Sequence, residues 1–170
     1  VAVAGEQVLV VEDNAKNMKL FRDVLQAEGY RTLEARTGGE AVELATEHGT
    51  GMSFHMSPAM LDPDGFTAEF GHRPMIHLAE LGVLADDVAI THCVQVDDAE
   101  LAVMAQAKVS VAHCPTTALK VSYGVTKVGK MPEMVQAGIN VSIGTDGNNA
   151  SNYSDLHRAT YLVAGLFKDG

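Results

Sequence analysis

Several residues that can bind metals follow apolar stretches of this 170-residue chain. His55 lies in "SFHMSP", His92 lies in "AITHC", and Asp146 lies in "SIGTDG". Imidazole nitrogens and carboxylate oxygens are common ligands of zinc, which turns a bound water into a hydroxide near neutral pH. They belong to a larger set of polar residues that follow predicted strands, together with Glu12, Asp13, Thr91, His113 and Thr145, and the residue types alone do not single out a ligand set.

Three further groups of residues have separate interpretations. Glu12 and Asp13 follow the apolar run "QVLVV", and hard carboxylate oxygens of this kind suit Mg²⁺. His113 lies in "VAHCPT", and we interpret it as a packing histidine at the end of a strand. Cys93 and Cys114 are the two cysteines of the chain, and we expect both to be free thiols in a reducing compartment.

The elements that must position these residues alternate regularly along the chain. Six apolar runs predict strands, and they are "QVLVVE", "RTLEA", "GMSFHMS", "DVAITHC", "VSVAHCP" and "NVSIGTD". Helical patterns separate or follow them, the later ones at about 66–82, 97–107, 128–138 and 153–168. This alternation predicts right-handed βαβ units and one parallel sheet, whose ligands bind beyond the carboxyl ends of its strands.

Composition narrows the class of protein. The formal net charge of -10 argues against a nucleic-acid partner, because phosphate binding needs a basic face. No apolar run approaches the ~20 residues of a membrane span, so we expect no membrane association. The start of the chain lacks the features of a signal peptide, and we expect a cytoplasmic protein. We interpret residues 1–170 as a single α/β domain.

The first part of the chain resembles a response-regulator receiver domain, on the stretch "VLVVEDNAKNMKLFRDVLQAEGYRTLEARTGGEAVELA". That resemblance implies that Glu12, Asp13 and Thr91 belong to a site for Mg²⁺ and phosphate. Ser57 stands where the family has its phospho-accepting Asp, and Cys114 stands where it has a Lys. The resemblance therefore implies Mg²⁺ or phosphate binding without phosphorylation.

The rest of the chain resembles the amidohydrolase superfamily, in the branch that deaminates or dechlorinates nitrogen heterocycles. The stretches "GVLADDVAITHCVQVDDAELAVMA", "VSVAHCPTTALKVSYG" and "AGINVSIGTDGNNASNYSDL" carry it. It implies a (β/α)₈ barrel that holds Zn²⁺ or Fe²⁺, with His55, His92 and Asp146 as metal ligands. The HxH motif of that family is absent from the chain, and Pro58 stands where its proton-shuttling Glu is expected.

The two resemblances together predict a fold chimera. Residues 1–48 would be a receiver-like βαβα segment, and residues 49–170 would be a half-barrel-like (βα)₄ segment. We expect an engineered structural scaffold with no selected catalytic activity and no required cofactor. The first alternative is a residual divalent-metal site that derives from a metal-dependent deaminase, and the second is the Mg²⁺ or phosphate site.

For the fold, the sequence favours a doubly wound, flavodoxin-like parallel sheet of about six strands in the order 2-1-3-4-5-6. The alternative is a barrel-like assembly that a second copy of the chain completes. An exposed edge strand such as "NVSIGTD" invites pairing, so a homodimer through that edge is the one partner that the sequence suggests.

Overall fold

A computed structural model describes residues 5–168 of the protein, and the chain divides into two compact units, Val1–Gly51 and Met52–Gly170. The described strands are β1 Gln7–Val11, β2 Arg31–Ala35, β3 Met52–Met56, β4 Val88–His92, β5 Ser110–His113 and β6 Asn140–Ile143. The described helices are α1 Ala15–Ala27, α2 Gly38–His48, α3 Leu61–Phe70, α4 Pro74–Glu80, α5 Asp98–Ala107, α6 Pro115–Lys120, α7 Val125–Val128, α8 Met131–Gln136, α9 Asn148–Ser151 and α10 Leu156–Leu166. Within residues 5–168, no helix combines the length and apolar character that a membrane crossing needs.

The first unit is a small βαβα arrangement. Strands β1 and β2 pair in parallel from Gln7 opposite Arg31 to Val11 opposite Ala35. The Asn14 side chain caps α1 by accepting hydrogen bonds from two backbone amides of its first turn, which lack partners within the helix. Helix α2 ends at Gly49, whose φ of 59° places it in the left-handed region.

The second unit contains a four-stranded parallel sheet in the sequential order β3-β4-β5-β6. The register sets His55 opposite Thr91, Thr91 opposite Ala112, and His113 opposite Ile143. Because all four strands are parallel, their carboxyl ends meet at the same edge of the sheet. This arrangement positions the polar residues that follow each strand.

The core of the second unit lies against β4 and β5. Ile90 of β4 is fully buried, and Met75, Met104 and Met134 of three different helices are fully buried in the same cluster. Burial of a side chain of this size contributes about 1.5–3 kcal/mol relative to its exposure. The core therefore fixes the strands whose ends carry the polar residues.

A buried carboxylate ties two helices to the loop that follows β4. Glu100 of α5 is fully buried and accepts hydrogen bonds from Arg73 Nε at 2.7 Å and from the amides of Met75 and Asp97 at 3.1 Å each. Arg73 also donates to the carbonyl oxygen of Gln95. Loss of one partner from such a buried ionic group typically costs about 3–5 kcal/mol.

The predicted strand order is wrong. In a doubly wound sheet of order 2-1-3-4-5-6, β1 must pair with β3, whereas β1 pairs with β2 and β3 pairs with β4 among the described residues. The order β3-β4-β5-β6 follows the chain, as strands do in a (β/α)₈ barrel. The second unit is thus a partial barrel rather than a flavodoxin-like sheet.

One predicted helix is divided in the structure, and the helix predicted over 128–138 is shorter than its pattern. Gly71, with a φ of 76°, ends α3, and Pro74 begins α4, so the pattern over 66–82 forms two helices. Gly129 lies in extended backbone after α7, and Pro132 lies in the first turn of α8. Left-handed or extended glycines end a helix, and proline is accepted in the first turn because its missing amide hydrogen is not needed there.

Candidate metal site

The carboxyl edge of the four-stranded sheet gathers the polar residues of the second unit. His92 is the last residue of β4, His113 is the last residue of β5, and Asp146 follows β6 after a short turn. His55 lies one residue before the end of β3. His92 and His113 are buried, Asp146 is half-buried, and His55 is exposed.

Unusual backbone conformations concentrate at this edge. Ser57, His92, Cys93 and Asp146 all have positive φ angles, of 53°, 79°, 49° and 62° respectively. Left-handed backbone at residues other than glycine costs of order 1–3 kcal/mol each and is common at functional sites. Hydrogen bonds between strand ends hold the turn, since the amide of Cys93 donates to the Met56 carbonyl at 3.1 Å.

The structure brings His92 and Asp146 together. Their Nε2 and Oδ2 atoms lie 3.9 Å apart, which is too long for a hydrogen bond and suits two ligands of one ion. The ring centroid of His55 lies 5.2 Å from that of His92, with an angle of 31° between the planes. The rings of Tyr123 and His92 form an edge-to-face contact, with their centroids 5.9 Å apart.

A thiol joins the same cluster, although the sequence resemblance did not mark it as a ligand. One ligand atom each from His92, Cys114 and Asp146 can be chosen so that all three lie within 4.8 Å of one another. Within residues 5–168, no other three His, Cys, Asp or Glu side chains bring their ligand atoms this close together. The sequence places Cys114 directly after the strand-end residue His113, but no ligand spacing marks it.

The electrostatic surroundings keep two of the three predicted ligands, His92 and Asp146, in their metal-binding forms. Burial and repulsion from His55 lower the pKa of His92, although Asp146 acts in the opposite direction, so the imidazole is neutral at pH 7. Burial alone would raise the pKa of Asp146, but the Gly147 amide, then the Thr117 hydroxyl and the nearby His92, lower it below its usual value. A neutral imidazole and an ionised carboxylate both offer free lone pairs.

The donor set fits a zinc ion. A tetrahedral zinc ion held at about 2.0–2.3 Å keeps its ligand atoms about 3.3–3.8 Å apart, and the His92–Asp146 separation of 3.9 Å is close to that range. The Nδ1 atom of His92 is buried without a hydrogen-bond partner, so no internal hydrogen bond must break if the ring turns. Nitrogen, oxygen and sulfur donors are all ordinary zinc ligands.

The three residues of the predicted receiver-like site belong to different units. Glu12 and Asp13 lie in the first unit, where Glu12 Oε1 accepts hydrogen bonds from the Asn14 amide at 3.1 Å and Asn17 Nδ2 at 3.3 Å. Thr91 lies in the second unit, half-buried within β4. Nothing in the structure of either unit assigns them a ligand, and their role stays a prediction.

Comparison with known proteins decides the family. A sequence profile described as "Amidohydrolase family" matches residues 16–165 of the chain. The chain belongs to the amidohydrolase family. The match begins inside the segment that resembles a receiver domain, so the comparison does not support a receiver domain there.

The curated relatives of this amidohydrolase are deaminases. It is 37% identical to 5-methylthioadenosine/S-adenosylhomocysteine deaminase of Moorella thermoacetica, over 74% of this chain and 29% of the relative. It is 35% identical to 5'-deoxyadenosine deaminase of Methanopyrus kandleri, over 76% of this chain and 29% of the relative. The amidohydrolase chain thus spans less than a third of the length of these relatives.

Solved structures of similar fold agree with a partial barrel. An adenosine deaminase from Xanthomonas campestris with bound zinc matches 96% of this chain and 42% of its own, with a TM-score of 0.75 and 24% identity. Guanine deaminase from C. acetobutylicum, with bound guanine, matches 97% of this chain and 45% of its own, with a TM-score of 0.70 and 14% identity. At these identities the likeness concerns the fold alone.

The prediction of an engineered scaffold is wrong. A family match over residues 16–165 and more than a third of identical residues with a natural deaminase point to a natural amidohydrolase. The prediction went astray because it treated the missing HxH motif as a sign that no function was selected. The alternative of a divalent-metal site derived from a deaminase agrees better with the relatives.

Proposed function

We propose that this chain forms part of a metal-dependent deaminase that hydrolyses an exocyclic amino group on a purine-like heterocycle. The observation that carries the proposal is the pairing of His92 Nε2 and Asp146 Oδ2 at 3.9 Å, at the carboxyl edge of a parallel sheet. The names of the curated relatives support an adenosine-like substrate. Zinc is the expected metal, since a zinc-bound neighbour shares the fold.

The chain's own residues would act as follows. His92 would donate a nitrogen lone pair to the ion, and Asp146 would donate a carboxylate oxygen. Zinc, when bound, supplies a water whose pKa is low enough to form hydroxide near neutral pH. Asp146 Oδ1 accepts a hydrogen bond from the Gly147 amide at 2.6 Å, which fixes the carboxylate while Oδ2 faces His92.

The orientation of the site also limits where a substrate can approach. His55 is exposed and lies beside His92, so the open side of the cluster is the side of β3. The imidazole of His55 can contact a metal-bound group or an incoming base from that side. His113 ends the neighbouring strand β5 and is 1% exposed, so its ring is not open to a substrate.

The proposal is tested by ammonia release. Protein loaded with zinc is incubated with 5'-deoxyadenosine and with S-adenosylhomocysteine, and ammonia is measured by a coupled assay. We expect release that depends on zinc and falls by about 100-fold or more in His92→Ala, because a metal ligand is lost. The control variant His157→Ala changes an exposed residue of α10 and should retain the activity. Release equal to the buffer blank, or unchanged in His92→Ala, would refute the proposal.

A further inference from the structure

We propose that the thiolate of Cys114 is a metal ligand, which makes the site a His92–Cys114–Asp146 centre for a thiophilic divalent ion. The inference deepens the proposed function, on which it rests, by specifying a ligand that the family resemblance does not contain. The ions that fit are those that bind nitrogen, oxygen and sulfur together in a tetrahedral arrangement, with zinc first and cobalt as its spectroscopic substitute.

Three ligand atoms lie close together at the edge of the sheet. Those of His92, Cys114 and Asp146 are all within 4.8 Å of one another, and each residue stands at the end of a different strand. A tetrahedral ion requires separations of about 3.3–3.8 Å, so no gap has to close by more than about 1.5 Å. A change of that size is within the reach of side-chain rotation.

The sulfur of Cys114 has free space and few partners around it. A Cβ atom built on Gly144 would lie 3.1 Å from Cys114 Sγ, so the glycine leaves room on that side. The sulfur makes one weak contact as a donor, with the Ala112 carbonyl at 3.9 Å. Cys114 is 3% exposed and forms no disulfide, so its sulfur is bonded neither to solvent nor to a second thiol.

An unsatisfied polar atom also lies at the cluster. Nδ1 of His92 is buried without a hydrogen-bond partner, and the His92 side chain is more than nine-tenths buried. Buried polar groups in native proteins nearly always have partners, so such atoms call for an explanation. An ion bound through Nδ1, after a turn of the ring, would give that atom the partner it lacks.

The chemistry balances without a further reactant. When the ion binds, a metal–sulfur bond forms, and the thiol proton passes to solvent because a coordinated thiol is deprotonated. Asp146 contributes a second negative charge, and His92 contributes a neutral nitrogen. Three protein ligands leave the fourth tetrahedral position for water, as catalytic zinc sites do.

Cobalt substitution tests the ligand directly. Reduced, chelator-treated protein is titrated with Co²⁺ alone, and the absorption spectrum is recorded. We expect a near-ultraviolet sulfur-to-cobalt charge-transfer band that reaches its full height at one ion per chain. The band should disappear in Cys114→Ser. It should persist in Cys93→Ser, because Cys93 is fully buried in the core cluster and is not a member of the group.

A second measurement needs no variant, so it is independent of whether Cys114→Ser folds. X-ray absorption of the wild-type zinc complex should show one sulfur scatterer at about 2.3 Å. A spectrum with nitrogen and oxygen scatterers alone, or a cobalt band that survives in Cys114→Ser, would overturn the thiolate ligand. Bound metal without a sulfur signature would still leave the proposed function standing, whereas loss of ammonia release with an intact sulfur signature would refute that function alone.

Discussion

Acid should destabilise the protein through His113, and the magnitude follows from its burial. Burial, followed by repulsion from His92, lowers the pKa of His113 from 6.5 to about 4. Both of its ring nitrogens lack hydrogen-bond partners, so the folded state accommodates only the neutral ring. A lowered histidine pKa gives stability that is complete above pH 6.5 and is lost as the pH falls towards 4, because the unfolded chain binds the proton first.

The expected size is about 3 kcal/mol, from a pKa difference of about 2.5 units at 1.36 kcal/mol per unit. Urea unfolding of the metal-free protein should be measured at pH 8, 6 and 4, with wild type and His113→Asn compared at each pH. At pH 8 the variant reports only its packing cost, since the wild-type ring is neutral in both states. The difference between the two proteins should then shift in favour of the variant by about 3 kcal/mol by pH 4.

A parallel pH dependence of the two proteins would refute this reasoning. It would mean either that His113 gains a partner in solution or that its ring is hydrated. The measurement requires a chelator, because a metal at the neighbouring Cys114 would stabilise the folded state by mass action.

Further predictions concern stability in urea. Glu100→Gln should lower the free energy of unfolding by about 2–3 kcal/mol, because a neutral amide replaces a buried carboxylate that accepts three hydrogen bonds. The control Glu133→Gln, at an exposed position of α8, should change the free energy of unfolding by less than about 0.5 kcal/mol. Met104→Ala should cost about 2–5 kcal/mol, since the side chain is fully buried in the core. Ser57→Gly should stabilise the metal-free protein by about 1 kcal/mol, because it relieves a left-handed backbone at a residue whose buried hydroxyl lacks a partner. Equal midpoints for the two glutamate variants, or destabilisation by Ser57→Gly, would contradict these accounts.

The strands of the second unit were predictable because their sequences leave little choice. "DVAITHC" is apolar over its whole length, as a parallel strand buried on both faces must be, and it forms β4. The placement of His92 and Asp146 at one edge was also predictable, because both residues follow parallel strands whose carboxyl ends meet there, whereas the distance between their side chains was not. Both residues were predicted as metal ligands because the chain resembles a metal-dependent family and because ligands bind beyond the carboxyl ends of parallel strands.

The strand order was not predictable from the same sequence. Apolar strands of about five residues fit a doubly wound sheet and a barrel equally well, and the choice depends on which neighbour each strand pairs with. The resemblance of the first segment to a receiver domain favoured pairing of β1 with β3, which the structure lacks. Pairing is a tertiary property, and no local pattern in β1 or β3 specifies it.

Cys114 was missed as a ligand candidate for a related reason. Its place after His113 and before Pro115 carries no ligand spacing, and the receiver resemblance assigned it a different position. Its sulfur comes near His92 and Asp146 only because β4, β5 and β6 are neighbours in the sheet. Spatial proximity across three strands appears in the structure and not in the spacing of the residues.

The central claim is that the carboxyl edge of the second unit binds zinc through His92 and Asp146. Isothermal titration of reduced, chelator-treated protein with Zn²⁺ tests it most directly, with His77→Ala as the control because that ring stacks on Phe70, with ring centroids 4.2 Å apart. We predict one zinc ion per chain for wild type and for the control, and binding weaker by about 100-fold or more in His92→Ala and Asp146→Ala. The same affinity in wild type and His92→Ala, or no heat of binding at micromolar zinc, would contradict the account.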